Sequence, residues 1–328
     1  MEKAKFIKPL VFLGLSFWVV SHLLSGISYG ASVDFPKKEI TIIVNSGPGG
    51  GRDIIARGVA NTMSKYLKVP VVVLNLPGAG GIRGLEQLYS SEPDGYTIGV
   101  GTPSDIIIQV IENPRYDSKK FTYIGNAEFI PDLLLVKSDS PFRSVKDFKK
   151  FDKKIRVGTH LLGSVGTVVY MILAEREGFP ISIISGYKGI ADATLGLIRG
   201  ETETNDLVPN ASLPHVRAGK VRAILTIAQK RDRNFPDVPT VGEIGYPDLA
   251  NFALYFWFMA PPGVPEARSR ILEDALMKTL KDPEFLKWAI TANVDIFPLN
   301  AQENTKLSID FSDTTFKYKG IIEKYIQK

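Results

Sequence analysis

Between Ile40 and Asp105 one unit occurs three times in succession: a short apolar run, a turn nearly stripped of side chains, and residues spaced for a helix. The first is Ile40 to Val44, then Ser46, Gly47, Pro48, Gly49, Gly50 and Gly51, then apolar residues at Ile54, Ile55, Val59, Met63, Tyr66 and Leu67. The second runs from Val69 to Leu74, through Asn75 to Gly81, into a helix with Ile82, Leu85, Leu88 and Tyr89 on one side. The third is Tyr96 to Gly101, followed by Thr102, Pro103, Ser104 and Asp105, with Ser104 the expected N-cap. A β-branched run without alternation is a strand covered on both faces, so three such units demand a parallel sheet with helices on its faces. The turns then share the carboxyl edge of the sheet, where open α/β sheets take ligands. The plain alternative for each turn is a tight connection that binds nothing.

The unit returns later. Ile155 to Gly158 leads through Gly163, Ser164, Val165, Gly166 and Thr167 into a helix ending at Gly178. Ile181 to Ser185 leads through Gly186, Tyr187, Lys188 and Gly189 into a helix ending at Gly200. Between the two sets lie apolar runs at Phe121 to Ile124 and Leu133 to Val136, and a capping-box pattern from Ser144 to Asp147 that opens a helix. After Glu203 to Val208 come a helix around Leu213 to Ala218, a strand from Val221 to Ile227 and a proline-rich connection over 234–247. An aromatic strand, Phe252 to Met259, precedes helices at Pro265 to Leu280 and Pro283 to Thr291. One last helix carries Leu307, Phe311, Tyr318, Ile321, Ile322 and Tyr325 on one face. Two sets of α/β units give two lobes facing across a cleft. Assigning the terminal helices to the first lobe makes it discontinuous, 31–132 with 255–328, around a second lobe of 133–254.

Composition narrows the chemistry. The 328 residues are 44% hydrophobic and 23% charged, enough for two cores. Cysteine is absent, which removes disulfides, thiolate metal sites and thiol nucleophiles; histidine is limited to His22, His160 and His215. Lys3, Lys5 and Lys8 precede an apolar run from Leu10 to about Leu24, with Ser28 and Gly30 where a signal peptidase reads small residues. Residues 1–30 therefore read as a cleavable signal peptide and the chain as periplasmic, the alternative being an uncleaved anchor. Cleavage lowers the formal charge from +5 to +3, and no basic block with interleaved aromatics points to nucleic acid.

Catalytic patterns are weak. Gly26 to Gly30 fits a nucleophile elbow but falls at the cleavage site, and Gly158 to Ser164 resembles a P-loop without its lysine. No metal or cofactor ligand set is expected. What remains is a set of backbone-donor turns with hydroxyls beside them: Ser46, Thr102, Ser104, Ser164 and Thr167. Such donors suit a carboxylate in a dry cleft, because glycine amides at a helix start approach it closely and the helix dipole favours it. Arg52 and Lys188 can add positive charge or lie in solvent. Asn205 and Asp206 end a short strand; Asp206 can accept from a ligand hydroxyl or amine, or simply cap a loop.

Taken together, the exported N-terminus, Ser46-Gly-Pro-Gly-Gly-Gly-Arg-Asp53, Asn75-Leu-Pro-Gly-Ala-Gly-Gly81 and Pro93-Asp-Gly-Tyr-Thr97 resemble a known family. Tyr187-Lys-Gly189, Leu213 to Lys220 and Pro236-Asp-Val-Pro-Thr-Val241 continue the match in order over the mature chain. It is similar to the periplasmic receptors of tripartite tricarboxylate transporters, the Bug family. The resemblance implies a two-domain type II periplasmic binding protein fold, a Venus flytrap closing on an organic carboxylate, and delivery to a two-component integral membrane permease. It implies ligand contacts from Ser46, Pro48, Gly49, Gly50 and Asp53 in the first lobe, and Ser164, Val165, Gly166 and Thr167 in the second. Arg52 stands where a small hydroxyl residue is usual and can meet a second ligand carboxylate. Tyr170 stands where histidine is common, and Glu201 to Pro209 lacks the usual Asp- and Phe-rich run, with Asn205 and Asp206 as substitutes. A monomer suffices for such a clamp. Two other functions fit the same residues: a sensor passing its state to a membrane kinase, and an exported hydrolase or lyase with Asp53 or Asp206 as general base.

Overall fold

The computed structural model describes residues 33–326; the expected signal peptide lies outside the described residues. Val33 to Phe35 is coil, and from Pro36 onward the chain forms one compact unit. Among the described residues no helix is long and apolar enough to cross a membrane.

The three opening units form as their pattern requires: β1 (Ile40–Val44), α1 (Gly51–Leu67), β2 (Val71–Asn75), α2 (Ile82–Tyr89), β3 (Thr97–Gly101) and α3 (Pro103–Glu112). β1 lies between β2 and β3, parallel to both, with Ile42 opposite Val73 and Ile98. β2 starts beyond Pro70, which has no N–H for the ladder. β4 (Thr122–Ile130) belongs to the same sheet, whereas β5 (Asp132–Lys137) belongs to a second one, and only Pro131 separates them.

The second set gives β6 (Ile155–Gly158), α4 (Val165–Glu177), β7 (Ile181–Ile184), α5 (Ile190–Arg199), β8 (Thr204–Leu207), α6 (Pro209–Arg217) and β9 (Val221–Ile227). These strands make a sheet of order β7-β6-β8-β5-β9, with β5 antiparallel to both neighbours. The chain then returns through β10 (Leu254–Ala260), antiparallel between β3 and β4. It ends with α7 (Glu266–Thr279), α8 (Pro283–Ala292), β11 (Ile296–Leu299), α9 (Ala301–Lys317) and α10 (Lys319–Ile326). The first sheet reads β11-β4-β10-β3-β1-β2.

Four sequence expectations change. β11 is an unanticipated edge strand, too short and too irregular around Pro298 to show alternation. The helix expected at Ser144 is a short 3₁₀ turn, Val145–Lys150, although Ser144 and Asp147 do form its capping box. The single terminal helix is two helices broken at Tyr318, whose hydroxyl donates to Asp248 Oδ2 at 2.6 Å and also accepts from Arg176. Beyond that tether α10 lies against α3 and α4, whereas α9 covers β4. Ser104 is not an N-cap: Thr102 holds that position and Ser104 lies inside the first turn of α3. Proline at N1 fixes the helix start two residues earlier than the serine suggested.

One apolar cluster, including Ile107 of α3, Trp257 of β10, Val168 of α4 and Val157 of β6, joins the two sheets through the α3–α4 contact. That contact positions the turns described next.

Candidate functional site

The first cradle is the turn from Ser46 to Gly51. Ser46 is half-buried, with its carbonyl accepting from Asn75 Nδ2 at 3.1 Å, while Pro48, Gly49 and Gly50 are exposed. Gly49 has φ +84, a left-handed conformation that glycine takes without strain, and a Cβ there would meet nothing within 4 Å. Asp53 holds this turn in shape. Its Oδ2 accepts from the Gly49 amide at 2.9 Å and from Arg57 Nε at 3.0 Å, and its Oδ1 from Asn75 Nδ2 at 2.9 Å. The bonds from Arg57, Gly49 and Asn75 outweigh burial and lower its pKa to about 2. A carboxylate this acidic and this fully engaged is a brace, not a general base. The Gly49 amide is therefore committed. Gly50 at the N-cap offers no side chain to α1, so the first helical amides have no protein cap.

Arg52 neither projects to solvent nor stands as an unpaired cation. Its Nη1 donates to Asp105 Oδ1 at 2.9 Å and to Asn45 Oδ1, and its Nη2 to Thr102 Oγ1 at 2.6 Å. Asp105 also accepts from Asn45 Nδ2 at 3.1 Å and from the Thr102 amide at 2.7 Å. The guanidinium thus joins the first cradle to the third turn, where Thr102 and Ser104 are both buried. Neither Asn45 nor Asp105 was among the site residues expected from the sequence. Thr102-Pro-Ser-Asp105 has the same capping-box spacing as Ser144 to Asp147, and that was the available signal.

The second cradle meets the third turn directly. A Cβ on Gly163 would stand 3.1 Å from Ile108 Cγ1 and 3.8 Å from the Ser104 carbonyl oxygen. At the start of α4, Ser164 is the N-cap, accepting from the Thr167 amide at 3.2 Å. Its hydroxyl donates to Thr167 Oγ1 at 2.7 Å or to Asp206 Oδ2 at 3.1 Å, and Thr167 Oγ1 donates to Asp206 Oδ1 at 3.1 Å. Gly166 is tightly enclosed: a Cβ would stand 2.3 Å from Asp206 Cβ and 2.7 Å from Asp132 Oδ2. Only glycine lets both carboxyl groups approach this peptide.

Asp132, beside Pro131 at the crossing between sheets, was not singled out in the sequence. Burial, reinforced by the facing Asp206 charge, pushes its carboxyl well above the usual range. Burial raises Asp206 as well, against His160 and the hydroxyls of Ser164 and Thr167, which favour its charged form. Asp206 keeps part of its surface open although protein packs round it closely.

The remaining candidates stand apart. Val165 is buried in the α4 packing. Asn205 is buried with neither amide atom hydrogen-bonded, and it follows Thr204 on the opposite face of β8 from Tyr170. Lys188 is exposed on its own turn, its amide donating to Asp192 Oδ2 at 3.1 Å. Ser164 has no histidine partner, and among the described residues no three acids or histidines converge as a metal site.

Residues 55–326 match the family described as Tripartite tricarboxylate transporter family receptor. This chain belongs to that family. The receptor is 32% identical over 250 residues to Protein BugT of Bordetella pertussis, covering 73% of this chain and 76% of that protein. Its structure is similar to a TctC solute binding protein from Polaromonas, with TM-score 0.75 at 23% identity over 88% of this chain and 99% of the other. It is also similar to MatC from Rhodopseudomonas palustris, described with bound malate, with TM-score 0.69 at 24% identity over 88% of this chain and all of the other (100%). These two likenesses bear on the fold: two lobes of type II periplasmic binding architecture, the first discontinuous in sequence.

Proposed function

We propose that this receptor captures a small organic carboxylate in the periplasm, between a lobe of residues 31–132 and 255–328 and a lobe of 133–254. On this reading residues 1–30 are removed on export, and the loaded receptor, a monomer, hands its ligand to a two-component integral membrane permease. The observation that carries the reading is the uncapped start of α1. Its free amides and positive dipole end lie beside a turn braced by Asp53 and tied through Arg52 to Thr102. By contrast, α3 and α4 are capped by Thr102 and Ser164, so their first turns are already satisfied. Family membership supplies independent support for a receptor rather than a catalyst.

In this arrangement the ligand carboxylate takes the amides from Gly50 onward, with Ser46, Pro48 and Gly49 shaping the rim. The second lobe closes with Ser164, Gly166, Thr167 and Asp206 opposite, and Asp206 accepts from a ligand hydroxyl or amine. Lobe closure removes water, so neutral dipoles solvate the acid without a compensating cation.

Calorimetry on folded, ligand-free protein tests this against succinate, malate, citrate, aspartate and benzoate. At least one should bind with one-to-one stoichiometry, and Gly50→Val, at an extended backbone position with room for a Cβ, should abolish that binding with only modest loss of stability. A panel without any binder would remove the reading.

A further inference from the structure

The charge of this chain is unevenly placed. Between Arg143 and Arg156 seven lysines and arginines stand against two aspartates, a net +5, so the rest of residues 31–328 carries −2. The fold turns this stretch outward. Its apolar residues recur every third position, at Phe142, Val145, Phe148 and Phe151, which is the period of the 3₁₀ turn Val145–Lys150. Ring centroids of Phe142 and Phe148 are 4.9 Å apart, those of Phe142 and Phe151 5.3 Å, and those of Phe148 and Phe179 5.3 Å. With that side fixed inward, Arg143, Lys146, Lys149, Lys150, Lys153 and Lys154 are all exposed.

The strip runs into β6 at Ile155, so it lies at the opposite end of that strand from the turn carrying Ser164. Lys137, at the end of β5, and Lys220, just before β9, come to the same end of the second sheet. Lys137 is opposite Val221 in register, and the Ser138 amide donates to the Lys220 carbonyl at 3.1 Å. Arg222 is held there by the carbonyls of Ser138, Ser140 and Phe142, and burial, then the Arg143 charge, lowers its pKa. Acids are fewer. Asp139 pairs with Lys137 at 3.4 Å, Asp147 with Lys150 at 3.0 Å, Glu203 with Arg156 at 2.7 Å, and Glu177 with Lys149. Asp152, exposed within the strip, is the fifth. Among the described residues Arg143, Lys146, Lys153, Lys154 and Lys220 form no ion pair, and Lys146 acts on Glu177 only from beyond pairing distance.

The make-up of the strip selects its partner. Five of its seven cations are lysines, and no large apolar side chain is exposed from 137 to 156. Protein interfaces are depleted in lysine and enriched in aromatics and arginine, so an acidic protein segment is the poorer match. Ammonium groups on flexible stems suit a surface whose charges rearrange beneath them, as anionic headgroups do. We propose that the basic strip from Arg143 to Lys154 is an electrostatic docking surface for an anionic phospholipid bilayer. The receptor then rests on the membrane by the far end of its second sheet, and the cradle at the other end stays clear of the headgroups. The use of this surface rests on the proposed delivery to a membrane permease; the surface itself does not.

Vesicle flotation tests this on the folded mature chain at low ionic strength, comparing mixed phosphatidylglycerol and phosphatidylcholine vesicles with phosphatidylcholine alone. The expected result is binding to the mixed vesicles only, lost in about 1 M sodium chloride, where the Debye length falls to about 3 Å. Combining Lys146→Ala, Lys153→Ala and Lys154→Ala should weaken binding about a hundredfold, the scale of three cations near an anionic surface. Removing the same charge from the other lobe, with Lys278→Ala, Lys281→Ala and Lys287→Ala, should leave binding nearly unchanged. All six side chains are exposed, so both variants fold. Equal losses in the two variants, equal binding to the two vesicle types, or no vesicle binding overturns the proposal. Binding of soluble polyglutamate without vesicle binding would give the strip to an acidic protein segment instead. Carboxylate capture is measured separately by calorimetry, so either result can fail alone.

Discussion

At the scale of single residues, Arg52 shows how one charge can tie two neighbouring turns together. Its guanidinium faces Asp105, whose side chain is only 5% exposed, so their pairing is shielded from water. Arg52→Ala leaves that carboxylate buried and unpaired, which should cost about 3–5 kcal/mol in denaturant unfolding. Binding of monoacids and diacids should then fall together, because the third turn loses its tie to the first. Unchanged stability with a loss confined to diacids would instead make Arg52 a direct contact to a second carboxylate. The sequence identified Ser164, Thr167 and Asp206 separately, and they do converge. It could not identify their partner Asp132, because a single acid next to a proline has no distinguishing pattern. Asp53 was singled out in the sequence as a ligand contact, but its work as a brace depends on Asn75 and Arg57, which only the fold brings close.

At the scale of elements, the glycine punctuation was an accurate guide to the βα units. Strand β9 spans the expected Val221 to Ile227, and Gly178 and Gly200 terminate α4 and α5 in left-handed conformations. The elements that escaped depend on tertiary partners: β11 forms because β4 offers an edge, and α10 separates because Tyr318 is held by Asp248. The β4–β11 pairing has a measurable cost. Glu128 on β4 is buried opposite Ile296, and burial raises its pKa to about 7, with the Asp295 backbone bond only partly offsetting this. Its folded pKa exceeds the ordinary 4.5, so the folded state holds a proton that the unfolded chain releases between those values. Stability should accordingly decline as pH rises from about 4.5 through about 7. Glu128→Gln should flatten that decline and stabilise the protein at pH 8 by up to about 3 kcal/mol, measured by urea titration at several pH values.

For the whole molecule, the repeated units made a two-sheet architecture legible, since each set of parallel strands needs its own helical cover. Small-angle scattering tests the mechanical consequence. Addition of a binding acid should reduce the radius of gyration, and an unchanged value with saturated binding would mean that capture needs no closure. The groove lined by Phe129, Tyr255 and Phe297 could not be read from the sequence, because its lining is gathered from separated stretches around residues 129–131, 229–233, 251–255, 295–299 and 303–310.

Pro131 is the entire link between β4 and β5. Proline fixes its own φ and narrows the torsions of Ile130 before it, so this joint has few torsions in which to bend. Asp132 is the next residue, and its carboxyl lies with that of Asp206 against the Gly166 peptide. The crossing between the two sheets and one acid of that buried pair are neighbours in the chain.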